Sequence, residues 1–235
     1  MNNFLLDTFK EIYVINLDRR PDRYTSFNER IKNEGINPKV VKRFSAVDGK
    51  TLEKKENKNM GETGCFLSHY NIWKKVRENK KLEEEDLIWI MEDDIQFNDS
   101  FKKYFSFIIK DFKDTPKGPK LLHIGGRWVK DFYPSSNISK FKVFKNNLYI
   151  RDRELSSRLN NGWHYDRTTH SIILNKGACI ELCKICEKED SYFHTQVDSF
   201  LNKLNTITDS ITFYECLPHL VWAELNKDSD IQNQN

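Results

Sequence analysis

Three adjacent carboxylates, Glu92, Asp93 and Asp94, follow the apolar run Leu87-Ile88-Trp89-Ile90-Met91. Neighbouring negative charges repel, which raises their pKa values unless a cation offsets them. Hard oxygen ligands at the end of a buried strand suit a divalent cation and, through it, a phosphate-bearing ligand. The same string also fits a strand followed by a solvated acidic turn. A second chemistry-bearing stretch is Asp18-Arg19-Arg20-Pro21-Asp22-Arg23. Its guanidinium groups, at a strand-to-helix loop, can meet an anion together with backbone N–H groups. Taken alone, it reads more simply as a surface helix with exposed arginines. The amide- and aromatic-rich stretch Asn160 to Tyr165, with Trp163 and Tyr165, has residue types that stack on and hydrogen-bond to sugars or peptides. Its plainer reading is a loop with one buried Trp.

These residues need elements to position them. The run Leu87–Met91 reads as a strand buried on both faces. Ile12–Ile15 reads as an earlier strand, with Pro21 opening a helix that carries Tyr24, Phe27 and Ile31 and stops near Gly35. Val40–Phe44 marks a second strand, and residues 51–62 read as loop. Cys65–Asn79 follows as a helix with Cys65, His69, Ile72, Trp73 and Val76 on one face, where His69 reads as a core histidine. Further helices are expected at Phe101–Phe112, Gly177–Glu187 and Val197–Leu204. Further strands are expected at Leu121–Ile124, Ile172–Leu174 and Ile211–Cys216. Between Trp128 and Thr169 only Phe141–Ile150 looks strand-like. The alternation predicts an α/β chain with a mostly parallel sheet, helices on both faces and a mixed C-terminal part. We expect one domain over residues 1–225 and a polar, disordered tail over 226–235.

Composition narrows the class. The chain has 235 residues, 38% of them apolar, with 38 Lys plus Arg against 35 Asp plus Glu. A net charge of +3 argues against nucleic acid or a membrane surface as partner. No run of about 18 apolar residues is present, so no membrane span is expected. Met1–Lys10 lacks the pattern of a secretory signal. Five cysteines without framework spacing argue for free thiols and a cytoplasmic setting. Cys179, Cys183 and Cys186 fall on one helical stripe and read as buried hydrophobes. The abundance of Lys and Asn points to a bacterial or viral genome.

Several segments together resemble glycosyltransferase family 25, which includes bacterial lipooligosaccharide galactosyltransferases and animal collagen glycosyltransferases. The matching stretches are Tyr13 to Arg23, Phe44 to Lys50, Gly61-Glu62-Thr63-Gly64-Cys65-Phe66-Leu67-Ser68-His69 and Glu92-Asp93-Asp94. Weaker matches are Gly125-Gly126-Arg127, Asn175 to Ala178, Val197-Asp198-Ser199-Phe200-Leu201 and Pro218-His219. The resemblance implies a GT-A, Rossmann-type fold, a UDP-galactose or UDP-glucose donor, Mn²⁺ (or Mg²⁺), inversion at the anomeric carbon, and a glycan or protein acceptor. On it, Asp94 is the main metal ligand, Glu92 reaches the metal or the ribose, and His219 completes the metal shell. Asn16, Arg19, Arg20, Arg23, Asp48, Ser68 and Asp93 line the donor site; for Trp163 and Tyr165 an acceptor role is expected from their residue types alone. Asp198 is the base that takes the acceptor proton, although its position also fits a first-turn helix acid. Asp166 is the reserve candidate. Where relatives carry Ala-Tyr, this chain has His170-Ser171, a departure that bears on acceptor identity.

Two other functions compete. A binding domain could keep the fold without turnover. A glycosidase would need two acids facing each other across a cleft, whereas neighbours on one strand point to opposite faces.

Overall fold

A computed structural model describes residues 7–56, 58–126, 142–145, 148–150 and 168–223. Among them, eight strands form one sheet. In chain order they are β1 (Phe9–Asn16), β2 (Lys42–Ser45), β3 (Leu87–Glu92), β5 (Lys120–His123), β6 (Lys142–Lys145), β7 (Leu148–Ile150), β8 (Ser171–Asn175) and β9 (Thr212–Cys216). The spatial order is β2-β1-β3-β8-β5-β9-β7-β6. Pairings β1–β2, β1–β3 and β5–β9 are parallel, while β8 runs against β3 and β5, and β7 runs against β9 and β6. Six of the eight strands therefore share one direction. This is the mostly parallel sheet with a mixed later part that the sequence predicts. A separate two-stranded ribbon joins β4 (Ile95–Phe97) to β10 (Val221–Ala223), two short strands the sequence reading did not assign.

The helices are α1 (Pro21–Asn33), α2 (Met60–Glu78), α3 (Phe101–Lys113), α4 (Lys176–Cys186) and α5 (Val197–Ile207). Period-2 alternation along the strands sends residues to two layers. On one face Ile12, Val14, Trp89, Met91 and Ile173 pack with Phe27 and Ile31 of α1 and with Phe101, Phe105 and Phe112 of α3. On the other, Tyr13, Ile15, Ile88, Ile90 and Leu174 pack with Phe66 and Trp73 of α2, Cys179 and Cys183 of α4, and Leu201 and Leu204 of α5. Each such fully buried side chain contributes roughly 1.5–3 kcal/mol of hydrophobic stabilisation. The cysteine stripe of α4 is thus core, as expected.

Local signals explain the element boundaries. Pro21 opens α1, and Gly35, at φ 77, ends it where only a residue without a side chain turns left-handed at low cost. α2 begins at Met60, five residues earlier than the sequence reading placed it, because Asn59 Oδ1 accepts from the Gly61 and Glu62 N–H groups. Gly64, in the first turns of this helix, serves packing. A Cβ on Gly64 would stand 2.6 Å from the Val47 carbonyl oxygen and 2.8 Å from the Gly49 nitrogen. The helix therefore docks directly on the 46–49 backbone. We expect Gly64→Ala to destabilise the protein by about 1–3 kcal/mol, because neither backbone partner can swing aside. A urea titration with an unchanged midpoint would refute that close packing.

Candidate active site

The C-terminal ends of β1 and β3 and the N-terminal end of β8 meet at one margin of the sheet. Glu92 closes β3, and its N–H donates to the His170 carbonyl at 2.9 Å. Its Oε1 accepts from Thr169 Oγ1 at 3.0 Å and lies 3.1 Å from His69 Nε2. His170 Nε2 is 4.0 Å from Oε2. Burial opposes charge on Glu92, but His170, His69 and Thr169 outweigh it and hold the carboxyl below the usual range. Glu92 is thus a carboxylate at neutral pH.

Asp94 follows the strand. Its Oδ2 is 2.9 Å from Arg23, while its Oδ1 is buried with no hydrogen-bond partner, as is His170 Nδ1. Ligand atoms of Glu92, Asp94 and His170 all lie within 4.8 Å of one another. Two carboxylates, one of them with an orphaned buried oxygen, and an imidazole make a donor set that fits Mn²⁺ or Mg²⁺, with the imidazole favouring the transition ion.

Sequence reasoning nominated a different histidine. His219 is 1% exposed and sits just before β10, its Nε2 2.9 Å from Glu215 Oε1. Among the described residues it belongs to neither group of side chains able to share a cation, and His170 stands at the acids instead. The sequence reading passed over Thr169 and His170 because their contact with Glu92 arises from strand pairing. The one available signal was the His170-Ser171 departure. Ser171 itself is buried and accepts from Trp89 Nε1 at 2.8 Å, so that substitution serves the core.

Asp93 is buried and shares Arg23 with Asp94. Asn16 Nδ2 donates to its Oδ2 at 2.6 Å, Arg23 reaches its Oδ1 at 2.5 Å, and Arg30 donates to its carbonyl. It ties β1, β3 and α1 together. Asn16 is equally engaged, donating also to the Arg20 carbonyl and accepting from Arg43 Nε. Arg23 holds both Asp93 and Asp94. Arg19 pairs with Asp48 at 2.6 Å, and Arg20 pairs with Asp22 at 3.0 Å. Ser68 is buried, accepts from the Val47 N–H and donates to the Gly64 carbonyl, which makes it part of the α2 docking seam. Trp163, Tyr165 and Asp166 lie outside the described residues.

Burial pushes the Asp93 carboxyl up to about 6, against the pull of Arg23 and Asn16 and with the help of Asp94 and Glu92. A folded-state pKa above the unfolded value means the folded protein holds a proton that the unfolded chain has released. Stability therefore falls as pH rises from 3.8 to about 6. Glu92 works in the opposite sense and at lower pH. We expect the stability difference between wild type and Asp93→Asn to change across that window, read from urea unfolding at a series of pH values. A flat difference would exclude the shifted carboxyl.

Asp198 lies in the first turn of α5, and its Oδ1 accepts from the Ser199 N–H at 2.8 Å. Burial raises its pKa, the Ser199 N–H lowers it, and the charge on Glu92 raises it again, leaving it above the ordinary range. The fold thus brings Asp198 within the electrostatic reach of His170 and of Glu92, the latter more than 100 residues away in sequence. Cys65 and His69, on α2, complete the surroundings of Glu92.

A mixed α/β chain with a candidate divalent-cation centre at its strand ends is the class these observations define. A profile described as glycosyltransferase family 25 (LPS biosynthesis protein) matches residues 9–201, and the chain belongs to that family. Human procollagen galactosyltransferase 2 is 32% identical over 136 residues, which covers 50% of this chain and 21% of the relative. A mouse protein named inactive glycosyltransferase 25 family member 3 is 29% identical over 140 residues, covering 52% of this chain and 22% of the relative. The chain therefore spans about a fifth of the length of these relatives. A crystal structure of a glycosyltransferase involved in the glycosylation of the major capsid of PBCV-1 aligns over 94% of both chains, with a TM-score of 0.47 and 12% identity. No helix among the described residues is long and apolar enough to cross a membrane.

Proposed function

We propose that this chain transfers a hexose, galactose or glucose, from a UDP-sugar to a hydroxyl group of a glycan or a collagen-like hydroxylysine, with inversion. The convergence of Glu92, Asp94 and His170 at one sheet margin carries this reading. A Mn²⁺ or Mg²⁺ ion held by Glu92, Asp94 and His170 would neutralise the diphosphate leaving group as a Lewis acid. Asp198 accepts the acceptor hydroxyl proton at its carboxylate, and its raised pKa makes it a stronger base than an ordinary aspartate. Arg23 contacts both Asp93 and Asp94 and so offsets part of the repulsion between the two carboxylates. Residues 1–225 act as one domain on this reading, since strands from Phe9 to Cys216 share one sheet. Five unpaired thiols favour a reducing, cytoplasmic setting.

The test is UDP release from UDP-galactose and UDP-glucose in the presence of Mn²⁺, with and without an acceptor hydroxyl compound. The expected result is metal-dependent release that EDTA abolishes. A second reading, a nucleotide-sugar-binding domain without turnover, draws on the relative named inactive. Metal-dependent UDP binding with no release from either donor would select it.

A further inference from the structure

Glu92 has two sets of neighbours, and only one includes Asp94. On its other side stand Cys65 and His69, one turn apart on α2 and so on the same helix face. The thiol sulfur, an imidazole nitrogen and a Glu92 oxygen all lie within 4.8 Å of one another. His69 is 0% exposed, yet its Nδ1 has no hydrogen-bond partner. Cys65 is half-buried and unpaired, which leaves the group open to a small ion. This donor set differs in kind from the carboxylate-rich group beside it. Sulfur and nitrogen with one carboxylate suit a borderline-soft ion in tetrahedral geometry, with a fourth position for water, whereas Mg²⁺ avoids thiolate.

We infer that Cys65, His69 and Glu92 form a second cation site, selective for Zn²⁺, that shares Glu92 with the neighbouring hard-ion group. Binding forms a Zn–S bond and releases the Cys65 thiol proton to solvent. No oxidant or reductant takes part. Because both groups draw on one carboxylate, Zn²⁺ here places a second dication beside the first and lowers the affinity of the Glu92–Asp94–His170 group for Mn²⁺. That consequence rests on the proposed catalytic centre, but the zinc site does not.

The probe is Co²⁺ added to the reduced 235-residue chain, followed by displacement with Zn²⁺. Wild type should show a thiolate-to-Co²⁺ charge-transfer band in the near ultraviolet that Zn²⁺ removes. Losing an outer partner of a metal ligand alone costs on the order of 10–100-fold in affinity, so Cys65→Ser should weaken Zn²⁺ binding at least that much and abolish the band. Asp94→Asn should keep the band, which separates this site from its neighbour. Circular dichroism establishes that Cys65→Ser is folded. If it is not, anomalous scattering from wild-type crystals soaked in Zn²⁺ locates the ion. Absence of a band in wild type, its persistence in folded Cys65→Ser, or zinc located away from Cys65 would each overturn the inference. If the band behaves as expected but Zn²⁺ leaves Mn²⁺ affinity unchanged, the coupling through Glu92 is overturned.

Discussion

Asp94→Ala should lose metal-dependent UDP binding and lower kcat/KM for hexose transfer by on the order of 10³-fold or more. Lewis-acid neutralisation of a leaving diphosphate is worth several kcal/mol of transition-state stabilisation, and each 1.4 kcal/mol is about tenfold in rate. Asp94 carries the buried oxygen with no partner, so it is the acid whose engagement inside the protein is least complete. Its removal deletes one contact to Arg23, which keeps Asp93. The fold should therefore survive, with a stability change within about 1 kcal/mol for a partly exposed pair. Isothermal titration with UDP and Mn²⁺, beside UDP-release kinetics, reads both effects. Turnover of the variant at near wild-type rate would remove Asp94 from the centre.

Asp198→Asn should separate donor binding from transfer. The amide keeps an oxygen that can accept from the Ser199 N–H, so the start of α5 is preserved. It cannot take a proton. General-base contributions run to about 10²–10⁴-fold, and we expect a kcat loss in that range with little change in UDP affinity. Equal transfer by this variant would move the base elsewhere and leave Asp198 as a first-turn acid. A matching loss of UDP affinity would indicate instead that Asp198 supports the donor site.

Much of this arrangement is readable from residue order, and the limits are physical. The long apolar run ending in Glu92 and the 3.6-residue stripes of α1, α3 and α5 declare themselves because burial imposes their period. Ile95–Phe97 and Val221–Ala223 are three residues each, too short for any period, and become strands only by pairing with each other across more than 120 positions. Gly61 and Gly64 look like breakers, because local propensity does not register that Val47 and Gly49 must pass close by. His69 is indeed a buried helix-face histidine, but the same burial sets it against Glu92. His219 followed a proline in a family-like segment, and only the three-dimensional arrangement shows it bound to Glu215. The acids were legible; their imidazole neighbours depended on which strands lie side by side.

The orientation of β8 has a chemical consequence. Met91 is level with Ser171 and Leu87 with Asn175. Running head to tail against β3, β8 brings its entry to the acids, and the residue just before that entry is His170. Reversed, the strand would have presented its exit there, setting the amide of Asn175 beside the acids and taking the imidazole to the opposite rim. Asn175 instead starts α4 at that opposite rim, accepting from the Ala178 N–H. The polarity of a single five-residue segment thus selects the nitrogen donor offered to a cation.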